Sequence, residues 1–204
     1  MNDKLIIIGA GGHGKVIADI GRKNGYKEIL FLDDYAEQKN IGCYKIVGKS
    51  NQFVDYDCDM FVAIGNAAVR QKILEKIKAE GKTIATLIHP NAVIGEDVII
   101  GKGTAIMAGT VINSGSVIGE GCIINTCASV DHDNRIGNYV HVSVGAHLAG
   151  TVSVEENTWI GIGAVVSNNL SICKDCMIGA GAVVVKDIKQ AGVYVGIPAR
   201  KVNK

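Results

Sequence analysis

Aromatic residues are scarce in this chain. Phe, Trp and Tyr make up 5% of its 204 residues, although 48% are hydrophobic. A core this apolar with so few rings has to be built from aliphatic side chains. Proline occurs twice in the whole sequence, so other residues must make its turns. Charge of one sign is also lacking. The net charge is +1, which removes the electrostatic case for nucleic acid or an anionic membrane as partner. No stretch approaches the roughly 18 consecutive apolar residues of a membrane span. Leu5 to Ile8 is a short apolar run that ends in glycine, so no signal peptide is expected. The six cysteines, at 43, 58, 122, 127, 173 and 176, lack the spacing of a disulfide framework. These absences together predict a reduced, soluble, cytoplasmic protein.

What the chain does have is a period. Stepping by six from Ile94 gives Ile100, Ile106, Ile112, Ile118, Ile124, Val130, Ile136, Val142, Leu148, Val154, Ile160, Val166, Ile172, Ile178 and Val184, all aliphatic. Glycine follows the aliphatic at Gly95, Gly101, Gly119, Gly137, Gly161 and Gly179, and a small residue commonly stands four positions after it. A period of six matches neither a helix nor a single flat strand. It matches short strands joined by tight corners, each sending one aliphatic inward, with the glycine expected to make the corner. That is a hexapeptide β-helix. Three strands close one triangular coil, so the stretch makes between five and six coils, a prism roughly 25 Å long at the spacing of paired strands.

The first part of the chain reads differently. Lys4 to Ile8, Ile29 to Leu32, Met60 to Ile64 and Thr83 to Ile88 are expected strands. Helices are expected from Lys15 to about Lys23 and from Ala67 to about Glu80. Strand and helix alternate, which predicts an α/β domain with a parallel sheet. His89-Pro90 hands the chain to the coils. The resulting boundaries are an N-terminal βαβ, Rossmann-like half domain over 1–87 and a β-helix with its tail over 88–204.

Gly9-x-Gly11-x-x-Gly14 matches the dinucleotide fingerprint, with Asp33 roughly twenty residues on. A domain of this size holds only half a two-lobed dinucleotide fold. A mononucleotide or diphosphate site therefore fits better than NAD, since a glycine turn and a helix N-terminus still face a phosphate. The plain alternative is a tight turn between strand and helix. Asp33 and Asp34 end the neighbouring strand, where a carboxylate can accept from a ribose hydroxyl or a base N–H. Gly65-Asn66 joins the same rim, although Asn66 is also a candidate helix N-cap.

A second constellation is Asp131-His132-Asp133-Asn134, followed by His141 and His147. Residues eighteen apart share a column, so Ser114 and Gly150 flank His132, and the glycine is expected to leave an opening beside the imidazole. That suits a general base, and a carboxylate next to it can fix the tautomer and raise the basicity. An exposed surface histidine is the competing account. Zinc on His132, His141 and His147 is disfavoured, because a step of six turns one face of the triangle and the side chains diverge. Cys173-x-x-Cys176 has no second pair, so packing is expected there.

Taken together, Gly-Ala-Gly-Gly-His-Gly, Leu32-Asp33-Asp34, His89-Pro90, Val130-Asp131-His132-Asp133 and His141-Val142-Ser143-Val144-Gly145-Ala146 resemble one family over the whole chain. The sequence is similar to the acetyl-CoA-dependent N-acetyltransferases that acylate UDP-4-amino sugars in bacterial glycan biosynthesis. The sialic acid O-acetyltransferases are close kin. The resemblance implies a left-handed parallel β-helix and a homotrimer. It implies His132 as general base, assisted by Asp133, where the family often has Glu. It places His141, Gly150, Ile162 and Ala180 on acetyl-CoA, and Gly12, His13, Gly14, Asp33, Asp34, Gly65 and Asn66 on the nucleotide sugar, with no metal. Two alternatives stay open from the residues: an O-acetyltransferase acting on a sialic acid, and a non-catalytic nucleotide-binding scaffold.

Overall fold

Four consecutive aliphatics, Leu5 to Ile8, make the centre of the first sheet because they can be buried on both faces, as a parallel strand under helices requires. Each is 0–1% exposed. The computed structural model describes residues 3–202, and the chain divides at Pro90 into two compact units. The first unit contains β1 (Lys4–Ile8), α1 (Gly12–Lys23), β2 (Glu28–Leu32), β3 (Asn40–Ile41), β4 (Tyr44–Gly48), a 3-10 helix (Ser50–Asp55), β5 (Asp59–Val62), α2 (Ala67–Ala79) and β6 (Leu87–Ile88). The sheet order is β3-β4-β2-β1-β5, parallel except for the β3–β4 edge.

Three local expectations need correction. α1 begins at Gly12 rather than Lys15, so Gly12-His13-Gly14 is the helix's first turn and not a loop before it. Gly14 packs against the strand behind: a Cβ there would lie 2.2 Å from the Gly9 carbonyl oxygen. The expected strand over Thr83 to Ile88 is reduced to a single bridge, Met60 to Ile84, and to β6. The polar stretch after β2, given no element from sequence, holds β3, β4 and the 3-10 helix.

The second unit is a left-handed parallel β-helix, with three stacks of two-residue strands as its faces. One stack runs Val93–Ile94, Val111–Ile112, Ser129–Val130, His147–Leu148, Val165–Val166, Val183–Val184. The second contains Ile99–Ile100, Val117–Ile118, Arg135–Ile136, Ser153–Val154 and Ser171–Ile172. The third contains Ala105–Ile106, Ile123–Ile124, His141–Val142, Trp159–Ile160 and Cys176–Ile178. The tail adds Gly192–Val195 in parallel to that last stack, then Arg200–Lys201 antiparallel. The predicted aliphatic is the last residue of each strand. From Ile106 to Val184 every one is at most 3% exposed, each contributing about 1.5–3 kcal/mol by burial.

Corners are made differently from the expectation. The left-handed residue comes three positions after the aliphatic, not one. Asp97, Cys127, Asp133, Tyr139, Thr151, Asn157, Asn169 and Asp175 have φ of 55–60°, and seven glycines occupy the same place in the remaining corners. Asp and Asn are the non-glycine residues that best tolerate this backbone. The glycine directly after the aliphatic has another purpose, which is to let neighbouring coils touch. A Cβ on Gly161 would lie 2.5 Å from the Ile178 carbonyl oxygen and 2.8 Å from the Ala180 nitrogen, whereas one on Gly163 would meet nothing within 4 Å.

These two glycines, in one corner, are expected to respond oppositely to substitution. Gly161→Ala should cost about 1–3 kcal/mol through overpacking and lower the melting temperature by several degrees. Gly163→Asn (φ 63° at the parent glycine) should leave it nearly unchanged. Equal melting temperatures for the two variants would show that the coils are not in such close contact.

Candidate functional site

His132 and Asp133 sit at the corner that follows strand Ser129–Val130. Asp133 is the left-handed residue of that corner, φ 57°, and this backbone turns its carboxylate back toward the preceding side chain. Asp133 Oδ2 lies 2.8 Å from His132 Nδ1. The carboxylate is an acceptor, so Nδ1 carries the proton and the Nε2 lone pair is left for a reactant. The Asp133 hydrogen bond raises the imidazole pKa above its ordinary value, outweighing an opposing desolvation, and the charges of Asp131 and Asp133 add to the rise.

Two glycines make room for this dyad, one in each adjoining coil. A Cβ on Gly115 would lie 2.7 Å from Asp133 Oδ1, and one on Gly150 would lie 2.4 Å from His132 Nε2. The expected opening beside His132 is therefore filled by the ring itself, which packs directly on the Gly150 backbone. Among the described residues no protein group accepts the Gly150 N–H. Behind the corner, Asn134 is fully buried and saturated: Nδ2 donates to the carbonyls of Asp131 (2.6 Å) and Ala149 (3.1 Å), and Oδ1 accepts from Val152 N (2.9 Å). One amide thus joins the chain behind His132 to the chain before Gly150. Asp131 caps the arrangement, accepting from His132 N and Asn113 Nδ2, and Asn113 and the His132 amide hold its carboxyl below the usual range.

His141 lies on a different face. Its ring stacks on Trp159 at 5.2 Å, and Trp159 Nε1 donates to Ser143 Oγ. Asn125 Oδ1 accepts from Thr126 N, so its amide nitrogen faces His141 Nε2 at 3.2 Å. That makes Nε2 the acceptor and puts the ring proton on Nδ1. Trp159, Ile162, Met177 and Ala180 line one apolar groove with Gly161, Ile178 and Gly179. Within one chain, then, His141, Ile162 and Ala180 gather around Trp159, while Gly150 belongs with His132 at another corner. His147 faces outward from the stack after that and pairs with Ser129 Oγ at 2.8 Å. The three histidines do not converge. Cys173 and Cys176 are free thiols with Sγ atoms 3.6 Å apart, and burial raises the Cys176 pKa.

In the first unit the glycine turn has an open side: a Cβ on Gly11 or Gly12 would meet nothing within 4 Å. No side chain caps the N-terminus of α1. Asp33 ties this turn to the loop after β2, accepting from Ala10 N at 2.7 Å and from Tyr35 N and Ala36 N at 2.8 Å each. Burial pushes its carboxyl upward, but those three donors and the Lys49 charge outweigh that and hold it below its ordinary value. Asp34 turns the other way and accepts from Ser50 N and Oγ. Both carboxylates are therefore engaged within the chain. Asn66 caps α2 by accepting from Val69 N at 3.0 Å. Gly65 has open space where a side chain would stand, and its carbonyl, like that of Ile64, accepts from Arg70.

Sequence reading passed over Arg70 and Trp159, and it listed Asn134 beside His132 without giving it a role. Arg70 lies on α2 and is 1% exposed. Trp159 carried the one available signal, as the single tryptophan of the chain at an outward strand position. His13 is half-buried, and its Nε2 is shut off from solvent with no protein partner. Burial, reinforced by the Arg70 charge, lowers its pKa to about 4.

Residues 4–77 match the family described as the PglD N-terminal domain, and residues 151–186 match the bacterial transferase hexapeptide family of six repeats. GDP-perosamine N-acetyltransferase of Escherichia coli O157:H7 is 32% identical over 164 residues, 76% of this chain and 74% of that one. The acetyltransferase domain of PglB from Neisseria gonorrhoeae FA1090, solved in complex with acetyl coenzyme A, superposes with a TM-score of 0.95 at 39% identity, covering 99% of this chain and 100% of that one. PerB from Caulobacter crescentus, solved with CoA and GDP-perosamine, superposes with a TM-score of 0.94 at 37% identity, covering 98% and 97%.

The buried histidine has a measurable consequence. Its folded-state pKa lies below the unfolded value, so the unfolded chain binds the extra proton between about pH 6.5 and 4, and stability falls as pH drops through that window. The 6.5-to-4 shift corresponds to about 3 kcal/mol. Denaturant titrations at pH 7 and pH 4.5 should show a smaller difference for His13→Asn than for the parent. An unchanged difference would mean that His13 is not the titrating group.

Proposed function

The chain belongs to the PglD/PerB family of acetyl-CoA-dependent sugar N-acetyltransferases, and from that premise we propose that it transfers the acetyl group of acetyl-CoA to the amine of a nucleotide-linked 4-amino sugar, with His132 as general base. The observation that carries this reading is the His132–Asp133 pair, with its 2.8 Å contact at Nδ1 and Nε2 left as the proton acceptor. The ring is set by Gly150 on one side and its partner carboxylate by Gly115 on the other.

The steps follow from that geometry. The sugar amine attacks the thioester carbonyl carbon, a C–N bond forms, and the carbonyl oxygen becomes an oxyanion. His132 Nε2 takes the proton released by nitrogen, and Asp133 stabilises the resulting imidazolium. The Gly150 N–H, which finds no acceptor among the described residues, is proposed to donate to the oxyanion. The C–S bond then breaks, and the CoA thiolate recovers the proton from His132. An amine is nucleophilic enough for a lone histidine base to serve without a serine relay. The groove around Trp159, Ile162 and Ala180, bordered by His141, is assigned to acetyl-CoA.

The nucleotide is assigned to the first unit, with Gly12, His13, Gly14, Gly65 and Asn66 at the rim and UDP the first candidate. Asp33 and Asp34 act there by shaping loops, since Asp33 already accepts from three backbone amides and Asp34 from the amide and hydroxyl of Ser50. A nucleotide held away from the reacting amine supplies binding energy that orients it. The Escherichia coli relative is an N-acetyltransferase, which favours the amide product over the ester of the O-acetyltransferase alternative. Trp159, Ile162, Val165 and Met177 leave 41–61% of their surface exposed. This apolar area supports a homotrimer in which neighbouring prisms cover one another. No helix among the described residues is long and apolar enough to cross a membrane, and a cytoplasmic role in glycan precursor synthesis is proposed with the rest.

Two measurements test the assignment. His132→Ala should lower kcat by about 10²–10⁴ with little change in melting temperature, because the ring is exposed. The base must be neutral to act, and Asp133 raises its pKa, so the acidic limb of the parent pH–rate profile should lie above the ordinary histidine value. In Asp133→Asn the limb should move to lower pH, whereas a limb that stays in place would exclude Asp133 as its cause. The second measurement is release of free CoA thiol with UDP- and GDP-linked 4-amino sugars, followed by treatment of the product with mild base. An acetyl group that survives is an amide. A base-labile product, or equal turnover of a sugar carrying no nucleotide, would defeat the proposal.

A further inference from the structure

We propose that Tyr35 is the nucleobase platform of the nucleotide site, its ring stacking on the base of the nucleotide-linked sugar. The inference rests on the nucleotide assignment above and names the residue that recognises the base.

Tyr35 is 92% exposed, the largest exposure of any large apolar residue described. An exposed ring is unusual in a chain that has so few. The other tyrosines have local reasons for their positions: Tyr26 is buried and donates to Asp59, Tyr44 packs on Phe31 at 5.8 Å, Tyr56 lies under the Lys4 ammonium, Tyr139 is buried, and Tyr194 donates to the Gln190 carbonyl. Among the described residues no group hydrogen-bonds the Tyr35 side chain, although its backbone is firmly held.

That backbone is held by the glycine turn's own anchor. One Asp33 oxygen accepts from Ala10 N, and the other accepts from Tyr35 N and Ala36 N. The carboxylate therefore fixes Tyr35 relative to the Gly9–Gly14 turn, where a phosphate is expected to sit. In open α/β sheets the rest of such a ligand lies across the carboxyl ends of the strands, and Tyr35 follows the carboxyl end of β2 by three residues. The base is assigned to that side. A ring with two side-chain torsions is inexpensive to order, and any base offers it a π-face.

The engagement of Asp33 and Asp34 points the same way. Both carboxylates are held in place by donors of the chain, Asp33 by three backbone amides and Asp34 by Ser50, and stacking on Tyr35 supplies affinity for a base that does not depend on them.

Calorimetric titration of the full chain with UDP and with GDP, as the parent, Tyr35→Phe and Tyr35→Ala, tests this directly. Tyr35→Ala should weaken the nucleotide that the parent binds roughly tenfold, while Tyr35→Phe stays within about twofold of the parent. Melting temperatures without ligand should coincide, since the ring is almost fully exposed. Tyr35→Ala binding within about twofold of the parent would overturn the inference while leaving the nucleotide assignment intact. So would a loss seen with a complete nucleotide sugar but not with UDP or GDP, which would make Tyr35 a sugar platform. A parent that binds neither nucleotide would remove the assignment and the inference together.

Discussion

Stacking of coils at a constant eighteen-residue rise is the constraint on which the rest of the second unit depends. Parallel pairing brings Val111 opposite Ser129, His141 opposite Trp159 and Val165 opposite Val183. The inward aliphatics meet as a continuous ladder only while every coil has the same length. A single inserted residue would turn the whole downstream pattern inside out. Each corner must therefore be closed within the unit of six, which forces a left-handed residue into every one. The polar residues found there are consequences of this geometry, and the dyad is among them.

Asp133 shows how one backbone requirement serves chemistry. Its corner needs a residue that tolerates φ near 57°, and Asp is among the few that do. The same conformation brings its carboxylate to His132 Nδ1. Columns eighteen residues long then supply the rest. Gly115 below and Gly150 above lack the side chains that would displace the carboxylate and the ring, and Asn134 ties the two strands of chain behind them. Exposed charges and rings are normally mobile and weakly coupled. Here the preorganisation comes from a rigid stack on which the exposed groups are mounted.

The first unit solves a similar problem with one carboxylate. Asp33 joins the turn after β1 to the loop after β2, and three backbone donors keep it ionised. Arg70, buried beneath the rim, holds the Ile64 and Gly65 carbonyls, and its charge helps to keep His13 neutral. A buried guanidinium next to a buried imidazole is costly unless each is hydrogen-bonded or neutral. The lowered His13 pKa is how that cost is limited.

The six-residue period and the alternation of strand and helix determined, from sequence, the β-helix, its sixteen ladder positions and the α/β character of the first unit. Both are repeated local patterns, and each repeat adds to the same signal. Glycine roles were only partly legible. A glycine after each aliphatic was visible, but whether it turned the chain or admitted a neighbouring coil depends on atoms eighteen residues away. His132 with Asp133 could be read from adjacency, since a pair one residue apart is a local feature. The ring's seat on Gly150, the gathering of His141, Ile162 and Ala180 around Trp159, and the engagement of Asp33 and Asp34 by donors from other loops were decided by the tertiary structure alone, whereas the Asn66 cap of α2 is local and was legible. Hydrogen-bond partners and burial are set by which segments the fold brings together, and a sequence lists residue types without listing their neighbours in space.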